Sequence, residues 1–297
     1  MIRIREENPL QTGWRPGFGW LVIDKPPGPS SHEVTTWTGN FFKQTAGHSG
    51  TLDPDVTGVL PVAIGKARKL LPALEGADKE YVCIARFAKP PAQKDVELVF
   101  KKFTGVITQM PPKEAAVKRQ LRKRKIHSIK LLEIEGPLVL FRVSCEAGTY
   151  IRVLCEDMGK AMKNACEMLE LRRTRAGPFT EDDAITMQQL AESANPNALL
   201  KPPEAGTALL KRVVIGNNAV NAVCHGAALA KSGVVALDDG IEKDSRVALF
   251  TVAGELVGTG IALMDSNSIS KAGKGLVVRT DAVVMPPDFY PKKWGNA

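Results

Sequence analysis

Apolar and polar positions change rhythm several times along this chain. Gly19-Trp20-Leu21-Val22-Ile23 is a short apolar run that predicts a strand, and residues 59–64 predict another. Ser31 stands where it can cap a helix carrying Val34, Trp37 and Phe41 on one face. Residues 66–74 predict a short basic helix, and 79–85 alternate like a strand. A helix over 95–103 should end near Gly105. Residues 138–145 read as an apolar strand, 146–149 as a turn, and 150–162 as a helix with Ile151, Leu154, Met158 and Met162 at helical spacing. A short helix over 186–194 leads into a Pro- and Asn-rich linker over 195–203. From Lys211 the texture shifts to short strands and glycines. Residues 213–215 read as a strand, 218–229 as helical, 246–263 as a hairpin turning at Ala253-Gly254-Glu255, and 276–284 as a strand. Residues 1–18 keep no rhythm and read as an irregular arm, and 291–297 read as a tail.

Length and charge sharpen this picture. A chain of 297 residues can bury two cores. The formal net charge of +8 favours a polyanionic partner without separating RNA from DNA or an acidic membrane. Residues 211–297 carry ten basic and eight acidic side chains, so +6 of the charge lies in the first 210 residues. Much of it falls in residues 113–130, with eight lysines and arginines against Glu114 alone. Such a run is a solvated face or, placed mid-chain after Pro111-Pro112, a surface loop that grips phosphates. The five cysteines are scattered and form no C-x-x-C pair, so they read as reduced, mostly buried thiols of an intracellular protein. No apolar run is long enough to span a bilayer, and no signal-peptide pattern opens the chain.

The chemistry centres on Gly47-His48-Ser49-Gly50-Thr51-Leu52-Asp53-Pro54. Two glycines and a proline make a tight, shaped loop. A lone carboxylate beside a buried strand is either aimed into a cleft or merely caps an Asp-Pro turn. Four further stretches stand out: Asp24-Lys25-Pro26, Lys79-Glu80-Tyr81, Gly148-Thr149-Tyr150-Ile151-Arg152, and Leu171-Arg172-Arg173-Thr174.

The loop, continued by Thr57-Gly58-Val59-Leu60, resembles the catalytic motif of the TruB/dyskerin family of RNA pseudouridine synthases, and the four other stretches resemble its remaining motifs in order. The resemblance implies an α+β fold: a mixed, mostly antiparallel sheet with flanking helices and a central cleft over 19–205, then a small, β-barrel-like PUA domain over 206–290. It implies Asp53 as the catalytic carboxylate, Arg152 as its ion-pair partner and Tyr81 stacking on the target base. Tyr150, Leu171 and His48 would line the pocket. Lys25 is either a phosphate contact or a solvated loop lysine, and Arg172, Arg173 and Arg175 read as phosphate or surface contacts. The basic segment over 111–130 resembles an RNA-clamping loop, with Lys118, Arg119, Arg122, Lys123, Arg124 and Lys125 on phosphates. It departs from the family pattern at Ala115 and His127, where a serine and a tyrosine are expected. Isomerising uridine neither oxidises nor transfers a group, so no cofactor or metal is expected. The implied partners are a box H/ACA guide RNA and target rRNA, two small accessory proteins and a kink-turn-binding protein in the cytoplasm of an archaeal cell. Neither a membrane nor DNA is among them. Two other readings stand beside this one: a stand-alone tRNA pseudouridine synthase, and a catalytically silent RNA-binding scaffold.

Overall fold

The computed structural model describes residues 1–10, 16–111 and 120–292. After a two-residue strand β1 (Ile2–Arg3), the chain lays down β2 (Gly19–Lys25), β3 (Ala46–His48), β4 (Thr57–Ile64), β5 (Lys79–Phe87), β6 (Gly105–Gln109), β7 (Arg122–Glu135), β8 (Leu138–Cys145), β9 (Cys166–Ala176) and β10 (Phe179–Thr180). These nine strands after β1 form one sheet in the order β2-β4-β9-β5-β8-β7-β6, with β3 beside β4 and β10 beside β9. The described pairs are antiparallel except β4 with β9, where Thr57 faces Arg172 and Gly58 faces Arg173. Helices α1 (Ser31–Phe42), α2 (Gln93–Phe103) and α3 (Ile151–Met162) flank it. Val96 and Phe100 of α2 and Leu154, Cys155 and Met158 of α3 bury one sheet face with Cys83, Phe141 and Val143. This is the α+β class expected, a mixed and mostly antiparallel sheet.

A second sheet follows the short helix α4 (Met187–Glu192). It contains β11 (Lys211–Ile215), β12 (Leu229–Ala230), β13 (Val234–Leu237), β14 (Arg246–Thr251), β15 (Leu256–Ala262) and β16 (Leu276–Val283), with α5 (Asn217–Cys224) and α6 (Ser266–Lys271). The expected hairpin is the antiparallel pair β14 and β15. Residues 1–18 are not wholly irregular: Ile2 and Arg3 pair with Leu237 and Ala236 and form the sheet's edge. Glu7 then accepts the backbone N–H of Asn217 at 2.6 Å. The Pro- and Asn-rich stretch over 195–203 is not a free linker either. Lys201 bridges to Trp20, and the buried Trp20 indole N–H donates to the Pro203 carbonyl at 3.2 Å. One continuous core runs from Trp20, Val59 and Phe179 to Val213, Leu249 and Val277, so the two sheets share it.

Helix α1 presents another face than its apolar pattern predicts. Trp37 and Phe41 are 44% and 42% exposed, while Ser31, Val34, Thr35, Thr38 and Gly39 are buried. The Thr35 and Thr38 hydroxyls donate to carbonyls one turn back, so this small polar face packs without orphaned donors. The cap is Ser30, in a capping box with Glu33, which frees Ser31 for another task. Residues 65–74 are a 3-10 helix with Pro72 inside, not an α-helix. The stretch 122–130, expected on a surface loop, is the first part of β7. Its charge is tolerated by alternation: Lys123, Lys125 and His127 are exposed, while Arg122, Arg124 and Ile126 turn inward. Lys118 and Arg119 lie outside the described residues. All five cysteines are unpaired, and four are buried. Among the described residues no helix is long and apolar enough to cross a membrane.

Candidate active site

The loop between β3 and β4 is tied down on three sides. From α1, the buried Ser31 hydroxyl accepts the Leu52 N–H at 2.8 Å and donates to the Leu52 carbonyl at 2.9 Å, one residue before Asp53. From the end of β2, the Lys25 ammonium donates to the carbonyls of Pro54 (2.7 Å), Val56 (3.0 Å) and Pro26 (3.0 Å), while the Gly28 N–H also donates to Pro54. From β9, the Arg173 guanidinium donates to Gly50 (2.9 Å) and Val59 (2.7 Å), one carbonyl on each side of the loop. Gly50 and Gly58 take left-handed φ values of +78° and +100°, and a Cβ on Gly58 would meet the Arg173 carbonyl at 2.2 Å. Those two positions require glycine.

These ties correct the reading of two basic residues. Lys25 is fully buried, so it is neither a phosphate contact nor a solvated lysine. Burial lowers its pKa, and Asp55 and Asp53 oppose that shift. Arg173 is 1% exposed and likewise belongs to the interior. Its pKa is lowered by burial and supported by the Tyr81 phenol. Arg172 chelates Asp24 with two N–H donors and reaches Glu181 at 2.5 Å, so it is occupied within the fold.

What the ties present is the Asp53 carboxylate. Arg152, in the first turn of α3, places Nη2 2.6 Å from Asp53 Oδ2. The aspartate side chain is 61% exposed and the arginine 42%, so the pair stands at an open mouth. An exposed ion pair stabilises a fold by only about 0–1 kcal/mol. A cation in the first turn of a helix is disfavoured by the dipole unless a carboxylate compensates, and here one does. Tyr81 lies in β5 directly opposite Arg173 on β9, with Leu171 facing Cys83 two pairs further along. Tyr81 and Leu171 both pack against the core under α3. Burial raises the Tyr81 pKa while Arg173 opposes the rise, so the group is a neutral phenol at pH 7. His48 closes β3 opposite Val62. Burial, then Arg173 and His32, lower its pKa, which keeps the imidazole neutral at pH 7. Tyr150 is half-buried and immediately precedes α3. Arg124 lies over Gly148, near the turn that leads into this helix.

The site is therefore a carboxylate paired with a guanidinium, with a phenol and a leucine on neighbouring strands of the sheet. Three sequence models match the chain: the TruB family pseudouridylate synthase N-terminal domain over 40–97 and 88–151, the tRNA pseudouridylate synthase B C-terminal domain over 152–214, and the PUA domain over 211–284. A probable tRNA pseudouridine synthase B of Methanocaldococcus jannaschii is 46% identical over 288 residues, covering 93% of this chain and 86% of that one. The chain belongs to the TruB family of pseudouridylate synthases. Solved structures similar to this chain include the Cbf5 of a Cbf5-Nop10-Gar1 complex, at a TM-score of 0.91 and 41% identity over 98% of this chain and 96% of that one. A second is found in an H/ACA RNP bound to a substrate RNA containing 2'-deoxyuridine, at 0.90 and 40% over 99% and 96%. The PUA match of this TruB family member coincides with the second sheet apart from β1.

Ser31, Lys25 and Arg173 were not legible as loop anchors, because their partners are backbone carbonyls and amides brought close only by folding. Lys79 was also missed. It is 8% exposed behind Gly50, and burial, with Arg173 adding, lowers its pKa to about 8. The K-x-Y triplet marked its position but gave no sign of its burial.

Proposed function

We propose that this pseudouridine synthase acts on rRNA, as the catalytic subunit of a guide-directed box H/ACA ribonucleoprotein, with Asp53 as its catalytic carboxylate. The observation that carries the assignment is the Asp53–Arg152 pair at 2.6 Å, exposed at the mouth of a loop otherwise anchored from within. The target uridine leaves its stack and lies against Tyr81, with Leu171 beside it on the sheet. The bond from the sugar C1′ to N1 breaks, the base turns, and C1′ joins C5. The C5 proton is then lost, and N1 ends protonated, so atoms balance without a cofactor. Exposed Lys123 and Lys125 on β7 meet RNA phosphates.

Support for the guided reading comes from similarity over nearly the whole chain to Cbf5 in complexes with Nop10 and Gar1 and to the protein of an RNA-bound H/ACA RNP. Accessory proteins and a guide RNA are accordingly the proposed partners. A second reading, stand-alone action on tRNA, is favoured by the names of the sequence relatives. An assay for pseudouridine on a tRNA transcript and an rRNA fragment, each with and without guide RNA and accessory proteins, separates them. Product on rRNA only with the guide supports the first reading. Guide-independent product on tRNA alone replaces it with the second. Product on neither, with tight guide binding, leaves a scaffold.

A further inference from the structure

Gln109 is a polar side chain, 2% exposed, at the end of β6 on the sheet's edge. Burying a carboxamide is costly unless both its ends find partners. Here both do, on a single residue 41 positions away. Gln109 Oε1 accepts the Tyr150 N–H at 3.1 Å, and Gln109 Nε2 donates to the Tyr150 carbonyl at 3.0 Å. Tyr150 is the residue from which α3 starts, and no side chain caps that helix. Its carbonyl also accepts the first-turn N–H of Leu154 at 3.0 Å, so the amide grips the peptide that begins the helix. Two residues later, Arg152 reaches Asp53.

We infer that Gln109 is a positioning residue for the isomerisation: by clamping both backbone groups of Tyr150, it sets the start of α3 and thereby holds Arg152 against Asp53. The inference rests on the catalytic reading of the Asp53–Arg152 pair. Leucine at 109 would fill similar space but could make neither bond, leaving the peptide that begins the helix without its side-chain clamp while Ile151 and Leu154 still pack the helix onto the sheet. Small displacements of catalytic groups cost rate more than binding, on the order of tenfold to a hundredfold.

The test is single-turnover pseudouridine formation at saturating RNA by the full chain, under the conditions in which the wild type is active, alongside RNA affinity. Gln109→Leu should slow the chemical step by about tenfold to a hundredfold and leave Kd within about twofold. A structural loss elsewhere would multiply with any other defect, so a double-mutant cycle with Arg152→Lys decides the route. If Gln109 acts through Arg152, adding Gln109→Leu to Arg152→Lys should lower the rate by less than about twofold. Full multiplication of the two effects overturns the inference, as does a lost affinity with a normal saturated rate. Should Gln109→Leu fail to fold, Gln109→Asn keeps the amide one methylene short and must show the same rate loss and cycle at smaller amplitude. Wild-type protein that forms no pseudouridine under any condition overturns the reading of the site itself. A normal rate for Gln109→Leu beside an active wild type overturns only the role of Gln109.

Discussion

Replacing Ser31 with alanine removes one oxygen atom and, with it, both anchors of Leu52. Ser31 is fully buried and Leu52 is 4% exposed, so water cannot easily replace the hydroxyl. The substitution strands one backbone N–H and one carbonyl that now sit 2.8 and 2.9 Å from that oxygen. Leaving a buried polar group unpaired costs about 1–3 kcal/mol, and partial relaxation of the loop brings the pair to about 2–4 kcal/mol. At roughly 2–4 °C per kcal/mol for a chain of this order of size, Tm should fall by about 4–16 °C. The functional loss should be larger, because Asp53 follows Leu52 directly. Differential scanning calorimetry would read the first effect and single-turnover pseudouridine formation the second. We expect the saturated rate to drop about tenfold or more with RNA affinity retained. Ser31→Cys, with a weaker donor of similar shape, should fall between. A Tm within about 1 °C of wild type together with a normal rate would refute the anchoring argument.

Arg152→Ala should behave in the opposite way: a stability change under about 1 kcal/mol by urea unfolding, because the pair is exposed, with pseudouridine formation lost. Substantial residual turnover would remove Arg152 from the mechanism. Lys79 gives a pH test. Its pKa is lowered to about 8 in the fold against about 10.5 unfolded, so between those values the unfolded chain binds more protons and stability rises with pH. Lys79→Met should abolish that rise between pH 8 and 10 and stabilise the protein at pH 7 by up to about 3 kcal/mol. An unchanged pH profile would show that Lys79 is not held in a proton-poor site. Charge reversal of the exposed Lys123 and Lys125 should weaken RNA binding and flatten its dependence on salt, whereas unchanged affinity would exclude this strand from the RNA surface.

The Asp53 loop and its partner Arg152 were legible through the resemblance of their motifs to the TruB family, whereas local residue types alone left open whether Asp53 enters a cleft or caps a turn. Gly-rich turns, an isolated aspartate and an arginine in a first helical turn are all visible without a structure. The anchors behind the loop were invisible for a physical reason. Lysine and arginine are almost always solvated, and only the converging carbonyls of Pro54, Val56, Gly50 and Val59 make burial of Lys25 and Arg173 tolerable. Helix α1 misled in the same manner. Its aromatic positions suggested a core face, but threonines that satisfy their hydroxyls within the helix packed there instead. The basic stretch over 122–130 read as a solvated face or a surface loop rather than as a strand of the sheet. It forms one because alternate side chains escape to solvent while Ile126, Ile129, Leu131 and Ile134 remain for packing.

The most direct test of the central claim is Asp53→Asn, an exchange that keeps size and shape but removes the charge. The measurement is pseudouridine formation on the RNA that the wild type modifies, with RNA affinity measured in parallel. The account predicts no detectable product and unchanged affinity, since the loop is held by Ser31, Lys25 and Arg173 and not by the aspartate side chain. Near-normal turnover by Asp53→Asn would contradict it.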